Sequence, residues 1–372
     1  MLHLGRGFLA VVNQRNAAIE LERLAGSVIV CGFDGSEVPA DVRTWITSDT
    51  LAGLILFKRN IEDASQAADM IAAATQVEDS ARPLLVCVDQ EGGRVARFGP
   101  PIVELPPMRT LASAGDLDLT TLGGRVLGRQ LRAVGINLNF APVLDVDTNP
   151  ANPVIGDRAF GATPQEVTDH GLAFAHGLHE GGVLSCAKHF PGHGDTDVDS
   201  HHALPVLRHD RTRLDDVELR PFRSAVGTVP SVMTAHVVIE ELDTAPATLS
   251  SALIDGLLRD EIGFTGAVFT DDLEMKAVSA QYPVEESGVL AIEAGCDILL
   301  VCSDIEAAGR LREALVREAE ATPGFAAKLE AACTRADALR KQVTQLPTAI
   351  GLRNALDDPD ARRLRERLEA SA

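Results

Sequence analysis

Short, nearly continuous apolar runs recur along this chain, separated by stretches of helical period. The runs are SVIVCGFDG (27–35), LAGLILFKRN (51–60), PLLVCVDQEGG (83–93), GINLNFAPVLDV (135–146), VLSCAKHFPGHG (183–194), SVMTAHVVI (231–239), GAVFTDD (266–272) and CDILLVCSD (296–304). They show little apolar–polar alternation, as expected of parallel strands covered on both faces. Between most of them lie helical patterns, among them Ala64–Gln76, Leu117–Val134, Pro164–Glu180, Ser250–Ile262 and Val284–Ala294. Gly263 and Gly295 follow the last two, where a helix-ending glycine belongs. Eight strands with helical connections predict the α/β class and a (β/α)8 TIM-type barrel in a single domain. A doubly wound sheet is the alternative, but it should carry a glycine-rich phosphate turn after its first strand. Here that turn reads GFDGSEVP, with neither a G-x-G-x-x-G nor a Walker sequence. The barrel is assigned to residues 1–345, with a lead-in helix over about 8–25 closing its bottom and a charged, peripheral tail over 346–372.

Composition narrows the classes of function. At 372 residues and 45% apolar content, the chain is too long for a disulfide-stapled mini-protein and too hydrophobic for a disordered one. Thirty-four Lys and Arg against 54 Asp and Glu leave a net charge of −20. No basic run stands out to follow a phosphate backbone, so nucleic acid is not an expected partner. Cys31, Cys87, Cys186, Cys296, Cys302 and Cys333 form no C-x-x-C pair and read as buried, reduced thiols. The start, MLHLGRGFLAVVNQRNAAIELERL, turns polar after Val12 and lacks a signal-peptide pattern. No apolar run reaches the roughly 18 residues of a membrane span, so no membrane partner is expected and the cytoplasm is the predicted location.

In a barrel, the C-terminal strand ends and the loops after them build the active site. Unusual polar residues concentrate there. The third run ends in Asp89, Gln90, Glu91, Gly92, Gly93 and Arg94, with Arg97 just beyond. The fourth leads through Asp145 and Asp147 to a loop holding Gly156, Asp157 and Arg158. The fifth ends in Lys188 and His189, the sixth near His236, and the seventh in Asp271 and Asp272. A lone charge at a strand end is usually solvated or ion-paired. Charge at five consecutive ends points to a functional site.

The densest segment, KHFPGHGDTDVDSHHALP (188–205), holds four histidines and three spaced aspartates. A calcium loop of the D-x-D-x-D-G type needs glycine after its third acid and an acid at position 12. Ser200 follows Asp199, and Val206 takes the twelfth position, so that reading fails. His and Asp could ligate zinc or a metal pair, but most of these residues lie on one glycine-bearing loop rather than on several strand ends; no metal and no cofactor is expected. The remaining reading is acid–base catalysis by a histidine paired with an aspartate. Asp199 and His201 are two residues apart, so extended backbone would project both side chains the same way. A carboxylate there favours the imidazolium, which can protonate a leaving group. His202 would point away.

DQEGGRVARF (89–98), GDRAFG (156–161), KHFPGHGDTDVDSHHALP and GAVFTDDLEM (266–275) together resemble the motifs of glycoside hydrolase family three, in the same order, and in particular its bacterial β-N-acetylglucosaminidases. The resemblance covers roughly residues 25–345. It implies a (β/α)8 barrel that retains anomeric configuration through a covalent glycosyl-enzyme intermediate. It implies Asp271 as nucleophile, a choice over Asp272 that periodicity cannot make because both strand faces are buried. It further implies His201 as acid/base with Asp199 as its partner, and Asp89, Arg97, Arg158, Lys188 and His189 as sugar-binding residues. Ala159 stands where a serine is common in the family. Many relatives carry a second domain after the barrel; here the site residues are expected to come from the barrel alone.

One Trp and one Tyr leave little for the aromatic platforms of a polysaccharide cleft. A pocket for one terminal sugar fits better. The expected partner is therefore a small carbohydrate, with cell-wall muropeptide fragments bearing terminal N-acetylglucosamine as the natural substrate implied by the resemblance. The nearest alternative is a phosphorylase on the same scaffold, since a histidine made neutral by the first step would not repel incoming phosphate. A β-glucosidase or β-xylosidase, a metal-dependent barrel hydrolase and a non-catalytic sugar-binding barrel are the further alternatives. Oligomeric state is not legible.

Overall fold

The computed structural model describes residues 19–76, 82–346 and 350–371. Its strands, in chain order, are β1 (Ile29–Cys31), β2 (Gly53–Leu56), β3 (Leu85–Val88), β4 (Leu138–Asn139), β5 (Leu184–Phe190), β6 (Val206–Leu207), β7 (Ser231–Thr234), β8 (Val238–Ile239), β9 (Ala267–Asp272) and β10 (Ile298–Val301). Eight of them close a parallel barrel in the order β1-β2-β3-β4-β5-β7-β9-β10, and β10 returns to pair with β1. The fold is the α/β barrel that the run count predicts.

The burial explains why the runs do not alternate. One hydrophobic cluster fills the barrel, with Val30, Ile55, Leu85, Leu138, Phe140, Leu184, Phe269 and Leu300 among its members. Phe140 and Phe269 meet edge to face there, with centroids 5.3 Å apart. A second, larger cluster lies between the strands and the surrounding helices. Inward and outward side chains are thus both apolar. All six cysteines are buried and unpaired.

The helices start and stop on local chemistry. Pro164–Gly181 begins with a capping box: the Thr163 hydroxyl accepts from the Glu166 N–H, and the Glu166 carboxylate accepts from the Thr163 N–H. Val284–Ala294 ends at Gly295, whose φ of 109° suits glycine. The helix expected over Ser250–Ile262 is present as Ala252–Glu261, wound more widely than an α-helix.

Three expectations are adjusted. The fourth strand is two residues long, because after Asn139 its backbone meets β5 out of regular register: Cys186 N–H donates to Ala141 and Lys188 N–H to Pro142. The sixth run divides into β7 and β8, and β8 pairs with β6 in a separate parallel ribbon. Within the segment expected as a charged, peripheral tail, residues 350–371 form two helices, Leu352–Leu356 and Pro359–Ser371. Ala361 and Leu364 are buried, and Arg129 pairs with Asp358 and Asp360, both at 3.0 Å. The charged sequence hides an i,i+3 apolar pair that fixes this segment to the helix Leu117–Ala133. Of the lead-in helix expected over 8–25, residues 19–26 are helical and 8–18 lie outside the described residues. Among the described residues, no helix is long and apolar enough to cross a membrane.

Candidate active site

The C-terminal strand ends enclose a pocket of about 180 Å³. It is lined by Asp89, Arg97, Arg158, Lys188, His189, His201 and Asp271. Those are seven of the eight predicted site residues; Asp199 stands behind His201. The volume is below the roughly 300–1,000 Å³ of drug-sized sites. It suits a single sugar unit.

One wall is an ion-pair lattice at the ends of β3 and β5. Lys188 Nζ donates to Asp89 Oδ1 at 2.8 Å and pairs with Glu91 Oε1 at 2.6 Å. Arg158 binds both oxygens of Glu91 at 2.9 Å, a fork geometry that fixes its plane. Arg97 Nη2 reaches Asp89 Oδ2 at 3.2 Å, and its guanidinium lies over the Phe57 ring at 5.3 Å. Burial alone would raise Asp89 and Glu91, but Lys188 and Arg97 outweigh it for Asp89, and Arg158 and Lys188 for Glu91. Both carboxyls are held below the usual carboxylate range. Burial would likewise lower Lys188, and Asp89 with Glu91 hold it above its ordinary value. Two carboxylates against three cations leave this wall one charge positive.

His189 follows Lys188 in sequence and also lines the pocket. Its Nδ1 shares a hydrogen bond of 2.6 Å with the fully buried Asp145, which also accepts from the backbone N–H of His189 and His193. Asp145 thereby fixes the His189 ring. Burial would raise Asp145, but His189 and these hydrogen bonds hold it below its ordinary value.

The opposite wall is the end of β9. Asp271 and Asp272 both line the pocket. Asp271 Oδ1 accepts from the Asp272 N–H at 2.8 Å. Asp272 Oδ1 accepts from the N–H groups of Glu274 and Cys302, at 3.1 and 3.3 Å. Burial, reinforced by Glu274, pushes the Asp272 carboxyl up to about 7. His236 is fully buried behind this strand, with Nε2 2.9 Å from the Asp272 carbonyl oxygen. It supports the strand end and does not line the pocket.

The third part is the loop between β5 and β6. Asp199 Oδ1 accepts from both the N–H and Nδ1 of His201 at 2.8 Å. The pair forms, but on a turn and not on extended backbone: the N–H groups of His202 and Ala203 both donate to the Asp199 carbonyl. The His201 side chain is 62% exposed. His202 is exposed as well. Gly194 lets the loop lie against the segment that follows β4, since a Cβ there would sit 1.9 Å from the Val146 carbonyl oxygen.

Glu91 and Asp145 carry as much of this architecture as the residues singled out in sequence. Glu91 stands in the DQEGGR motif, and its buried position between two cations was the missing information. Asp145 had the signal of an acid at the end of an apolar run. Among the described residues, no group of three or more His, Cys, Asp or Glu is placed to hold a metal ion.

A sugar-sized, charge-lined pocket over the C-terminal strand ends of a barrel, with a carboxylate and a His–Asp pair at its walls, suits a glycoside hydrolase. The sequence matches the glycosyl hydrolase family 3 N-terminal domain over residues 19–339, and the chain belongs to that family. It is 38% identical over 327 residues to the beta-hexosaminidase of Methylococcus capsulatus, covering 87% of this chain and 96% of that protein. The beta-hexosaminidase of Idiomarina loihiensis is 39% identical over 274 residues, 73% of this chain and 82% of its own length. Among solved structures, a family 3 β-N-acetylglucosaminidase from Paenibacillus sp. str. FPU-7 superposes with a TM-score of 0.88 at 40% identity, over 94% of this chain and 68% of that one. NagZ from Neisseria gonorrhoeae in complex with N-trifluoroacetyl-D-glucosamine gives 0.68 at 33% identity, over 83% and 98%.

Proposed function

We propose that this chain is a retaining exo-β-N-acetylglucosaminidase in which Asp271 is the nucleophile and His201 the acid/base. The observation that carries the reading is the convergence of Asp271, His201 and the Asp89–Lys188–Glu91–Arg158 lattice on one pocket of about 180 Å³ in a family 3 barrel. Charge-assisted hydrogen bonds from the lattice hold the sugar hydroxyls. Asp271 attacks the anomeric carbon, forming the glycosyl–Asp271 ester while the bond to the leaving oxygen breaks. His201 gives its proton to that oxygen, and the neutral ring then takes a proton from the water that hydrolyses the ester. Asp199 on Nδ1 orients the ring and leaves Nε2 to carry the transferred proton. The His201 ring, open to solvent without sugar, is expected to be covered when sugar binds, by rotation of its side chain beside the anchored Ser200.

The small pocket supports removal of one terminal residue, and the named relatives support N-acetylglucosamine as that residue. Cell-wall muropeptide fragments in the cytoplasm are the substrate and setting that fit a soluble exo-acting barrel. The experiment is a time course with an aryl β-N-acetylglucosaminide in phosphate buffer, read by mass and anomeric NMR. Free sugar appearing first as the β-anomer is expected. A first α-anomer would overturn the double displacement, and sugar 1-phosphate would make the enzyme a phosphorylase.

A further inference from the structure

His193 lies outside the acid–base pair and the ion-pair lattice, yet it is 1% exposed and bonded at both ring nitrogens. Its Nδ1 is 2.7 Å from Thr196 Oγ1, and its Nε2 is 3.1 Å from Ser200 Oγ. Its backbone N–H donates to Asp145 Oδ1 at 2.7 Å, which ties it to the end of β4 and to His189. Ser200 is itself 2% exposed and precedes His201 directly. On its other side, the Ser200 carbonyl accepts from the N–H of Ala277, just beyond the β9 end that carries Asp271. Ser200 is therefore held between the β5 wall and the nucleophile wall, while the next residue is largely in solvent.

We propose that His193 is a positioning residue for proton transfer: through Ser200 it sets where the His201 ring stands relative to Asp271. The proposal rests on the reading of His201 as the acid/base. Burial, with the neighbouring His189, lowers the His193 ring to about 4. The ring is then neutral near pH 7, with one nitrogen donating and the other accepting. Hydroxyl partners on both sides satisfy either tautomer, because each hydroxyl can donate or accept. An apolar side chain would break the relay at both ends. The Thr196 bond adds a brace within the same loop, so that rotation of the His193 ring away from Ser200 would sacrifice two hydrogen bonds.

The test uses kcat/KM, which reports the glycosylation step, over a series of aryl β-N-acetylglucosaminides. A 2,4-dinitrophenyl leaving group departs without protonation, whereas 4-methoxyphenyl needs the acid. Ser200→Ala removes only the hydroxyl. It is expected to lose about ten-fold on the 4-methoxyphenyl substrate, the worth of roughly one hydrogen bond in alignment, and less than about two-fold on the dinitrophenyl one. His193→Ala should shift the same balance further, and His193→Gln, which keeps a donor and an acceptor, should restore most of it. Melting curves identify any variant that fails to fold, and Ser200→Ala keeps the test open if His193→Ala does. Equal proportional losses across the series in Ser200→Ala and His193→Gln would overturn the proposal and leave His193 a packing residue. His201→Ala is run alongside. If it shows no dependence on the leaving group, the acid/base reading fails; if it shows the dependence and the Ser200 and His193 variants do not, only the positioning role fails.

Discussion

The two walls of the pocket carry the same functional group in opposite electrical settings. At β3 and β5, Asp89 and Glu91 are locked against Arg97, Lys188 and Arg158, and their carboxyls stay ionised well into acid. At β9, burial acts most on Asp272, and the negative charges of Glu274 and Asp271 add to it. A carboxylate held by two cations has its lone pairs occupied and is a poor nucleophile. Asp271 Oδ1 accepts from a backbone N–H and, among the described residues, is held by no cation, which suits the nucleophile role proposed for it. Under the proposed mechanism this amounts to a division of labour, in which the ion-paired wall would be the template for the sugar and the β9 wall would hold the nucleophile.

The largest effect should come from the reactive wall. Asp271→Ala is expected to lower kcat on an aryl β-N-acetylglucosaminide by about 10⁴-fold or more, as removal of a covalent nucleophile does. Retention of most activity would move the nucleophile elsewhere. His201→Ala should cost about 10²–10⁴-fold on poor leaving groups. A uniform loss over the leaving-group series would remove His201 from proton transfer.

The template wall should respond in stability. Glu91→Gln leaves Arg158 and Lys188 buried with reduced compensation, and breaking such a pair typically costs about 3–5 kcal/mol. Because Glu91 is held below its ordinary value, its contribution is present above about pH 4 and is lost as pH falls toward the folded-state value. The gap between denaturant melts of the two proteins should therefore narrow from pH 7 to pH 3 without closing, since the folded-state value lies below that range. Parallel curves would mean that Glu91 is not the ion-paired group described.

The smallest effect belongs to Asp272, and it has the opposite sign. Its folded-state value of about 7 lies above the unfolded one, so its contribution is full below about pH 4 and is lost as pH rises to about 7. Asp272→Asn keeps an oxygen for the Glu274 and Cys302 N–H groups and cannot ionise. Its melting temperature relative to the wild type should rise by a few degrees from pH 5 to pH 8. A constant difference would contradict the acidic setting of this wall.

Much of this was legible beforehand, for identifiable reasons. Two-sided burial turns barrel strands into apolar runs, so the strands could be counted, and their polar ends marked the pocket face. The same burial hid which of Asp271 and Asp272 faces the sugar, and only resemblance singled out Asp271. Pairing between distant residues was not legible: nothing local in DQEGGR says that Glu91 will meet Arg158 and Lys188. The Asp199–His201 contact was expected from two-residue spacing, but a turn makes it. The helices over 350–371 were obscured because one face holds apolar residues sparse among many charges.

The covalent bond proposed between Asp271 and the sugar can be tested directly by trapping it. A fluorinated N-acetylglucosaminyl donor with a fast leaving group slows breakdown of the intermediate, and peptide mapping by mass spectrometry then locates the adduct. One glycosyl group is expected, on the peptide containing Thr270–Asp271–Asp272, with fragmentation placing it on Asp271. An adduct on Asp272, or turnover of the donor with no protein-bound sugar and a first product of inverted configuration, would contradict it.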